Sequence, residues 1–197
     1  MTLDFTLIHE STIHARDSIS NGKTVHSGLL FVENFLSMDL LKKLQAYVRD
    51  ENLTWDSQET SVGLIYPGRK KITWTADSVI EEIHVVLDNL TEHLNQRFSR
   101  QNKFLGLSVW RDECTFQMIP HYDNPNNDIS IQIYLNNDNM DLGTTFIINN
   151  SAVKAPYSAN HGYLMDNTQN ILHLYNGKPP VGHHRYSLHA VWADANK

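Results

Sequence analysis

From Phe104 to Trp192 the chain repeats one device, a short run of β-forming residues followed by a turn signal. The runs are FLGLSVW, TFQMI, ISIQIYLN, GTTFIIN, SAVKA, GYLMD, NILHLY and HHRYSLHAVW. Between them lie segments such as Asn-Pro-Asn-Asn, Asn-Asp-Asn-Met-Asp-Leu-Gly, Ala-Pro-Tyr and Asn-Gly-Lys-Pro-Pro. Proline lacks a ladder N–H and glycine has no side chain to pack, so both punctuate strands. Short strands at such regular spacing predict a sandwich, jelly roll or barrel. ISIQIYLN gives the facing. Side chains alternate along a strand, so Ile129, Ile131, Ile133 and Leu135 point one way and Ser130, Gln132, Tyr134 and Asn136 the other. The apolar set can pack under helices. The polar set faces water in an ordinary sheet, but a polar interior in a small barrel with a ligand in its mouth.

The helices come earlier in the chain. GLLFVENFL, Gly28 to Leu36, reads as a strand, after which Ser37 caps a helix bearing Leu40, Leu41, Leu44, Tyr47 and Val48. Ser78 and Glu81 form a capping box ahead of a second helix. Val79, Ile80, Ile83, Val86, Leu87, Leu90, Leu94 and Phe98 then make one stripe that packs on a core. The stretch from about Glu51 to Thr75 is loop-rich, with a hairpin expected around Pro67-Gly68. Helices first and strands later predict helices buttressing one face of a β core. At 197 residues, one domain spanning 1–197 is the expectation.

Charge and cysteine usage narrow the function classes. A net charge of −6 disfavours a dedicated nucleic-acid binder, which needs a broad basic surface. The compact basic run Arg69-Lys70-Lys71 reads as a solvated loop. Cys114 is the single cysteine, so no intramolecular disulfide can form, which fits a reducing compartment. Neither a signal-peptide pattern nor an apolar membrane-spanning run stands out, and a cytoplasmic location is expected.

The chemistry centres on HYDNPNN, His121 to Asn127. With 11 histidines, about one His-x-Asp pair is expected by chance, so the pair alone decides nothing. His121 and Asp123 nevertheless share one face of an extended segment that ends at a rim. A 2-His-1-carboxylate face leaves positions free on an octahedral iron(II), and it requires one more histidine from a neighbouring strand. His173, inside NILHLY, is the preferred third ligand and His183 the alternative; Arg185 beside His183 is electrostatically awkward next to a dication. His161, between Asn160 and Gly162, reads as a turn. In the last run Arg185, Ser187 and His189 share a face of an otherwise apolar strand. A buried guanidinium needs a partner, and a carboxylate suits its fork.

At this point the sequence resembles the 2-oxoglutarate- and iron(II)-dependent oxygenases. Their signature is His-x-Asp, a later His, and then Arg-x-Ser or a similar pair. It is most similar to the prolyl-hydroxylase branch, through HYDNPN followed by YLN, RYSLHAVW, GTTF and GLLFVENFLSMDLLKKL, over about 28–192. The resemblance implies a double-stranded β-helix (jelly roll) with N-terminal helices packed on one sheet. It implies His121, Asp123 and His173 as metal ligands, and Arg185, Tyr134 and Ser187 as the cosubstrate site, which turns the Tyr134 face into the barrel. The implied activity is hydroxylation of an aliphatic C–H, in a prolyl residue or related amino-acid substrate, with release of succinate and CO2. Iron(II), 2-oxoglutarate and dioxygen are the implied requirements, with ascorbate optional. The partner is then a peptide, protein or small molecule, with neither nucleic acid nor membrane expected. Tyr66, Arg69 and Trp74 would lie on a loop over the site and contact substrate. The chain departs from the branch in carrying Trp110, Arg111 and Cys114 where a tyrosine usually meets the cosubstrate, and in the 12-residue step from His173 to Arg185. Other readings are a cupin-type metalloenzyme without 2-oxoglutarate, a nucleic-acid demethylase of the same superfamily, and a non-catalytic β-sandwich binding module.

Overall fold

The computed structural model describes residues 3–59, 65–72, 79–124, 126–136 and 141–196. In chain order they form α1 (Phe5–Asn21), β1 (Lys23–His26), β2 (Leu29–Val32), α2 (Met38–Val48), β3 (Trp55–Glu59), β4 (Ile65–Ile72), α3 (Val79–Asp88) and α4 (Thr91–Phe98). Strands β5 (Asn102–Asp112), β6 (Met118–His121), β7 (Ile129–Tyr134), β8 (Thr145–Ile148) and β9 (Ser151–Lys154) follow, then β10 (Gly162–Asp166), β11 (Leu172–Tyr175) and β12 (Arg185–Asp194). Each of the eight β-type runs therefore becomes a strand. They divide between two antiparallel sheets, one ordered β1-β2-β10-β7-β12-β5-β4-β3 and the other β6-β11-β8-β9.

The alternation in β7 sets the two sides of the large sheet. Ile129, Ile131, Ile133 and Leu135 join Leu164, Leu188, Ala190 and Trp192 against α1, α2, α3 and α4 in one apolar core. Each buried Ile or Leu among them contributes about 1.5–3 kcal/mol relative to exposure. The opposite face of β7 is also buried, so the strand is covered on both sides. That face looks into the space between the sheets, where Tyr134 packs with Phe31, Phe146 and Tyr163. The polar set of β7 thus faces the interior and not water.

Three expectations change. The helix expected through Phe98 is interrupted: α3 ends at Asp88 and α4 restarts at Thr91. Asp88 and Asn89 have low helix propensity, while Leu90 still faces the core. Ser78 lies outside the described residues. Pro67-Gly68 is not the hairpin turn. It sits within β4, where the pairing with β3 slips between Ser57–Lys70 and Glu59–Ile65. Gly68 takes a φ of 77°, which favours glycine, and the irregularity delivers Arg69 to the interior at 5% exposure. The basic run is accordingly not a solvated loop. The helix α1 has no clear sequence signal, because Ser, Thr and His dilute its buried Leu7, Ile8, Ala15 and Ile19. Its start is fixed by Asp4, whose side chain accepts from the Leu7 N–H at 3.0 Å. Among the described residues, no helix is long and apolar enough to cross a membrane.

Candidate metal centre and its chamber

Strand pairing brings the two histidines together. β6 and β11 run antiparallel with His121 opposite His173, and their rings lie 4.3 Å apart. Asp123 follows just beyond the end of β6. Each imidazole is oriented from behind by a carbonyl two residues earlier. His121 Nδ1 is 2.9 Å from the Ile119 oxygen, and His173 Nδ1 is 3.1 Å from that of Ile171. In a neutral ring Nδ1 then holds the proton and Nε2 is left with its lone pair forward. Those Nε2 atoms stand 3.7 and 3.4 Å from Asp123 Oδ1. One ligand atom from each of the three residues lies within 4.8 Å of the others.

Three electron-pair donors aimed at one point repel unless something positive sits among them. Two imidazoles and one carboxylate on one side of that point are the donor set of a facial triad, so the residues present fit a divalent iron. Ser130 Oγ lies 3.3 Å from Asp123 Oδ2 and 3.1 Å from Asn167 Oδ1, and donates to one of them at a time. Burial raises the Asp123 carboxyl, but the two imidazoles outweigh it and hold the group well below the usual carboxylate range. For His121 burial pulls downward, and the Asp123 carboxylate together with the Ile119 carbonyl more than offsets it.

Arg185 opens β12 and pairs in register with Asp112 at the end of β5. It is 1% exposed. Its Nη1 donates to Asp112 Oδ2, its Nη2 reaches Thr144 Oγ1 at 3.3 Å, and its Nε has no partner. Asp112 is shared. Arg69 grips the same carboxylate with Nε at 2.6 Å from Oδ1 and Nη2 at 2.8 Å from Oδ2. The Arg69 guanidinium is itself held 4.0 Å from the ring centroids of both Trp110 and Phe116. Two buried cations thus share one anion. Burial works against the charge of Arg185, but Asp112 raises its pKa beyond the ordinary arginine value.

The other walls are hydroxyl-rich. Tyr134 donates to Thr144 Oγ1 at 3.2 Å and accepts from the Thr144 N–H at 2.8 Å. Thr144 reaches this point because Gly143, before it, passes too close to the Ala155 carbonyl for any side chain. Tyr175 stacks its ring 4.3 Å from the Arg185 guanidinium, its hydroxyl has no partner, and burial pushes its pKa up to about 12. Ser187 accepts from Gln132 Nε2 at 3.1 Å, and Gln132 Oε1 accepts from Tyr163 at 2.6 Å.

A cavity of about 280 Å³ reaches the triad and is lined also by Tyr66, Arg69, Trp110, Tyr163 and His189. Tyr66 and Arg69, expected over the site, are therefore at it; Trp74 lies outside the described residues. Two larger grooves of about 430 Å³ run along α1, away from these residues. Arg185 and Tyr134 are buried and do not line this cavity, although Gln132 and Tyr163 of the same inner face do. His183 is exposed on the turn following Pro180 and is not among the converging groups. Sequence reasoning missed Asp112, Thr144 and Tyr175. Only the register of β12 against β5 points to Asp112.

No family model matches the chain, and no curated protein matches it by sequence. Solved structures do. A Pseudomonas putida prolyl-4-hydroxylase superposes with a TM-score of 0.66 at 16% identity, over 93% of this chain and 98% of that one. A prolyl hydroxylase from Trichoplax adhaerens, in complex with a hypoxia-inducible-factor peptide fragment, gives 0.63 at 15%, over 99% and 96%. HygX from Streptomyces hygroscopicus, with nickel, 2-oxoglutarate and hygromycin B bound, gives 0.62 at 9%, over 98% and 88%. At these identities the likeness establishes architecture, and the chain has the double-stranded β-helix fold of the 2-oxoglutarate/Fe(II) oxygenases, prolyl hydroxylases among them.

Proposed function

We propose that this chain is a 2-oxoglutarate- and iron(II)-dependent oxygenase that hydroxylates an aliphatic C–H of a prolyl residue or related amino-acid substrate. The observation that carries the reading is the convergence of His121, Asp123 and His173 within 4.8 Å, in a cavity backed by a buried guanidinium. When bound, iron and 2-oxoglutarate with dioxygen supply the oxidation, which releases succinate and CO2. His121, Asp123 and His173 would hold the metal, their orientation fixed by the Ile119 and Ile171 carbonyls and by Ser130. Arg185 would bind the far carboxylate on the edge that carries its unpartnered Nε, with Tyr134 beside it; the unpartnered Tyr175 hydroxyl also marks this chamber as fit for a polar guest. Ser187 anchors Gln132 and so shapes the wall between the two sites. Tyr66, Arg69 and Trp110 would confine the substrate and keep bulk water out.

The test is anaerobic addition of iron(II) and 2-oxoglutarate. A weak visible metal-to-ligand charge-transfer band is expected, followed in air by succinate and by a +16 mass shift in a panel of prolyl peptides and free amino acids. Changing an outer partner of a metal ligand costs about 10–100-fold in metal affinity, and losing a ligand costs more. His173→Ala should therefore lose iron, whereas His183→Ala should keep it; the opposite result overturns the ligand set. One observation favours a second reading. Asp112 already serves as counter-ion to Arg185, as suits a cupin-type metalloenzyme that does not use 2-oxoglutarate. Iron binding without the band would select that reading.

A further inference from the structure

We propose that Asp112 sets the charge of the cosubstrate chamber, so that Arg69 and Arg185 together present one net positive charge to the single far carboxylate of a 2-oxo diacid. The inference rests on the proposed use of 2-oxoglutarate. Its basis is the shared carboxylate: Asp112 Oδ2 accepts from Arg185 Nη1 and also from Arg69 Nη2 at 2.8 Å. Arg69, Asp112 and Arg185 are 5%, 0% and 1% exposed, so water screens none of them. Among the described residues, no second carboxylate is bonded to either guanidinium, and Arg185 Nε remains unpartnered. Charges a few ångströms apart in such surroundings interact strongly, so the count matters more than the individual contacts.

The arithmetic makes opposite demands on the two neighbours of Arg185. Without Asp112 the chamber would carry two positive charges and hold anions too tightly. Without Arg69, Asp112 would neutralise Arg185, leaving no attraction for a carboxylate. Arg69 would then help bind the cosubstrate through charge, by way of Asp112 and not by direct contact.

The experiment measures 2-oxoglutarate affinity calorimetrically at fixed salt, on the full chain loaded with manganese(II), which supports binding without turnover. Wild type is compared with Asp112→Asn, Arg69→Gln and the double variant. Asp112→Asn should tighten binding by about 10–100-fold, and Arg69→Gln should weaken it by a similar factor. The double variant restores the charge count and should return to within about threefold of wild type. If Asp112 and Arg69 act only by positioning Arg185, the double variant will bind more weakly than either single one, and that overturns the proposal. So does weaker binding in a folded Asp112→Asn protein. Should Arg69→Gln fail to fold, the other two variants decide alone. Wild type that binds manganese but not 2-oxoglutarate removes the oxygenase reading itself and this inference with it.

Discussion

On the helix side of the large sheet, Ile131, Ile133 and Leu188 lie in an apolar core shared with four helices. One residue along the same strands, Gln132, Ser187 and Arg185 lie on the other side among hydroxyls, amides and charges, and are buried as deeply. Burial on the helix side needs no explanation beyond the removal of apolar surface from water. The inner side has its own apolar cluster around Phe31 and Phe146, but Gln132, Ser187 and Arg185 are buried there without that driving force. Desolvating a guanidinium is costly, and its ion pair at best offsets the loss, so apolar residues of similar volume would serve the fold as well or better. A polar interior wall between two sheets is therefore evidence of chemistry, while the apolar wall is evidence only of folding.

The sharpest test of that contrast is to remove one partner on each side. Asp112→Ala leaves two guanidiniums facing each other without an anion and should cost about 3–5 kcal/mol in urea unfolding. Leu188→Ala opens a cavity under the helices and should cost about 2–5 kcal/mol, set by how far the core relaxes. The two losses should differ in what reverses them. Bound as proposed, 2-oxoglutarate would bring a carboxylate to the inner wall, so its addition should recover more stability in Asp112→Ala than in wild type, and no more than wild type in Leu188→Ala. Equal recovery in both variants would mean that the inner wall is merely structural.

The same contrast explains what could be read in advance. Periodicity reports which residues share a face, and this sufficed for the strands β5 to β12 and for placing Arg185, Ser187 and His189 on one side of β12; that the Tyr134 face turns inward came only from the family resemblance, since alternation alone leaves a polar face open to water. It does not report register between strands. Asp112 stands opposite Arg185 only because β5 and β12 pair with that alignment, and nothing local in the WRDEC stretch announces it. Nor does periodicity see irregularity: the slip around Pro67-Gly68 moves Arg69 inward from a run that otherwise looks solvated.

A smaller effect follows from His189, which lines the cavity and stacks on Trp110 at 4.4 Å. Burial lowers its pKa to about 4, against 6.5 for the free side chain. The unfolded chain therefore takes up this proton first. The contribution is fully present above 6.5 and drains away as pH falls toward 4, and because the ring is partly exposed it amounts to about 1–3 kcal/mol. His189→Phe keeps a ring against Trp110 but removes the proton, so its stability should fall less steeply over that window. Parallel pH profiles would show that the cavity already admits enough water to solvate the imidazolium.

The smallest effect separates two neighbours on β4. Arg69 and Lys70 are adjacent in sequence and both carry one positive charge, but alternation puts them on opposite faces. Lys70 pairs with Glu113 at 3.0 Å, with the two side chains 35% and 28% exposed. Exposed ion pairs are screened and contribute about 0–1 kcal/mol, so Lys70→Gln should barely move the urea midpoint. Arg69→Gln breaks a bidentate pair that water does not reach and should cost several times as much. If the two substitutions prove equally mild, Arg69 is solvated in solution, the chamber has no excess buried charge, and the contrast between the two sides of the sheet loses its electrostatic half. If only Arg69→Gln is severe, the basic run divides as the geometry requires: its first residue belongs to the chamber and its second to the surface.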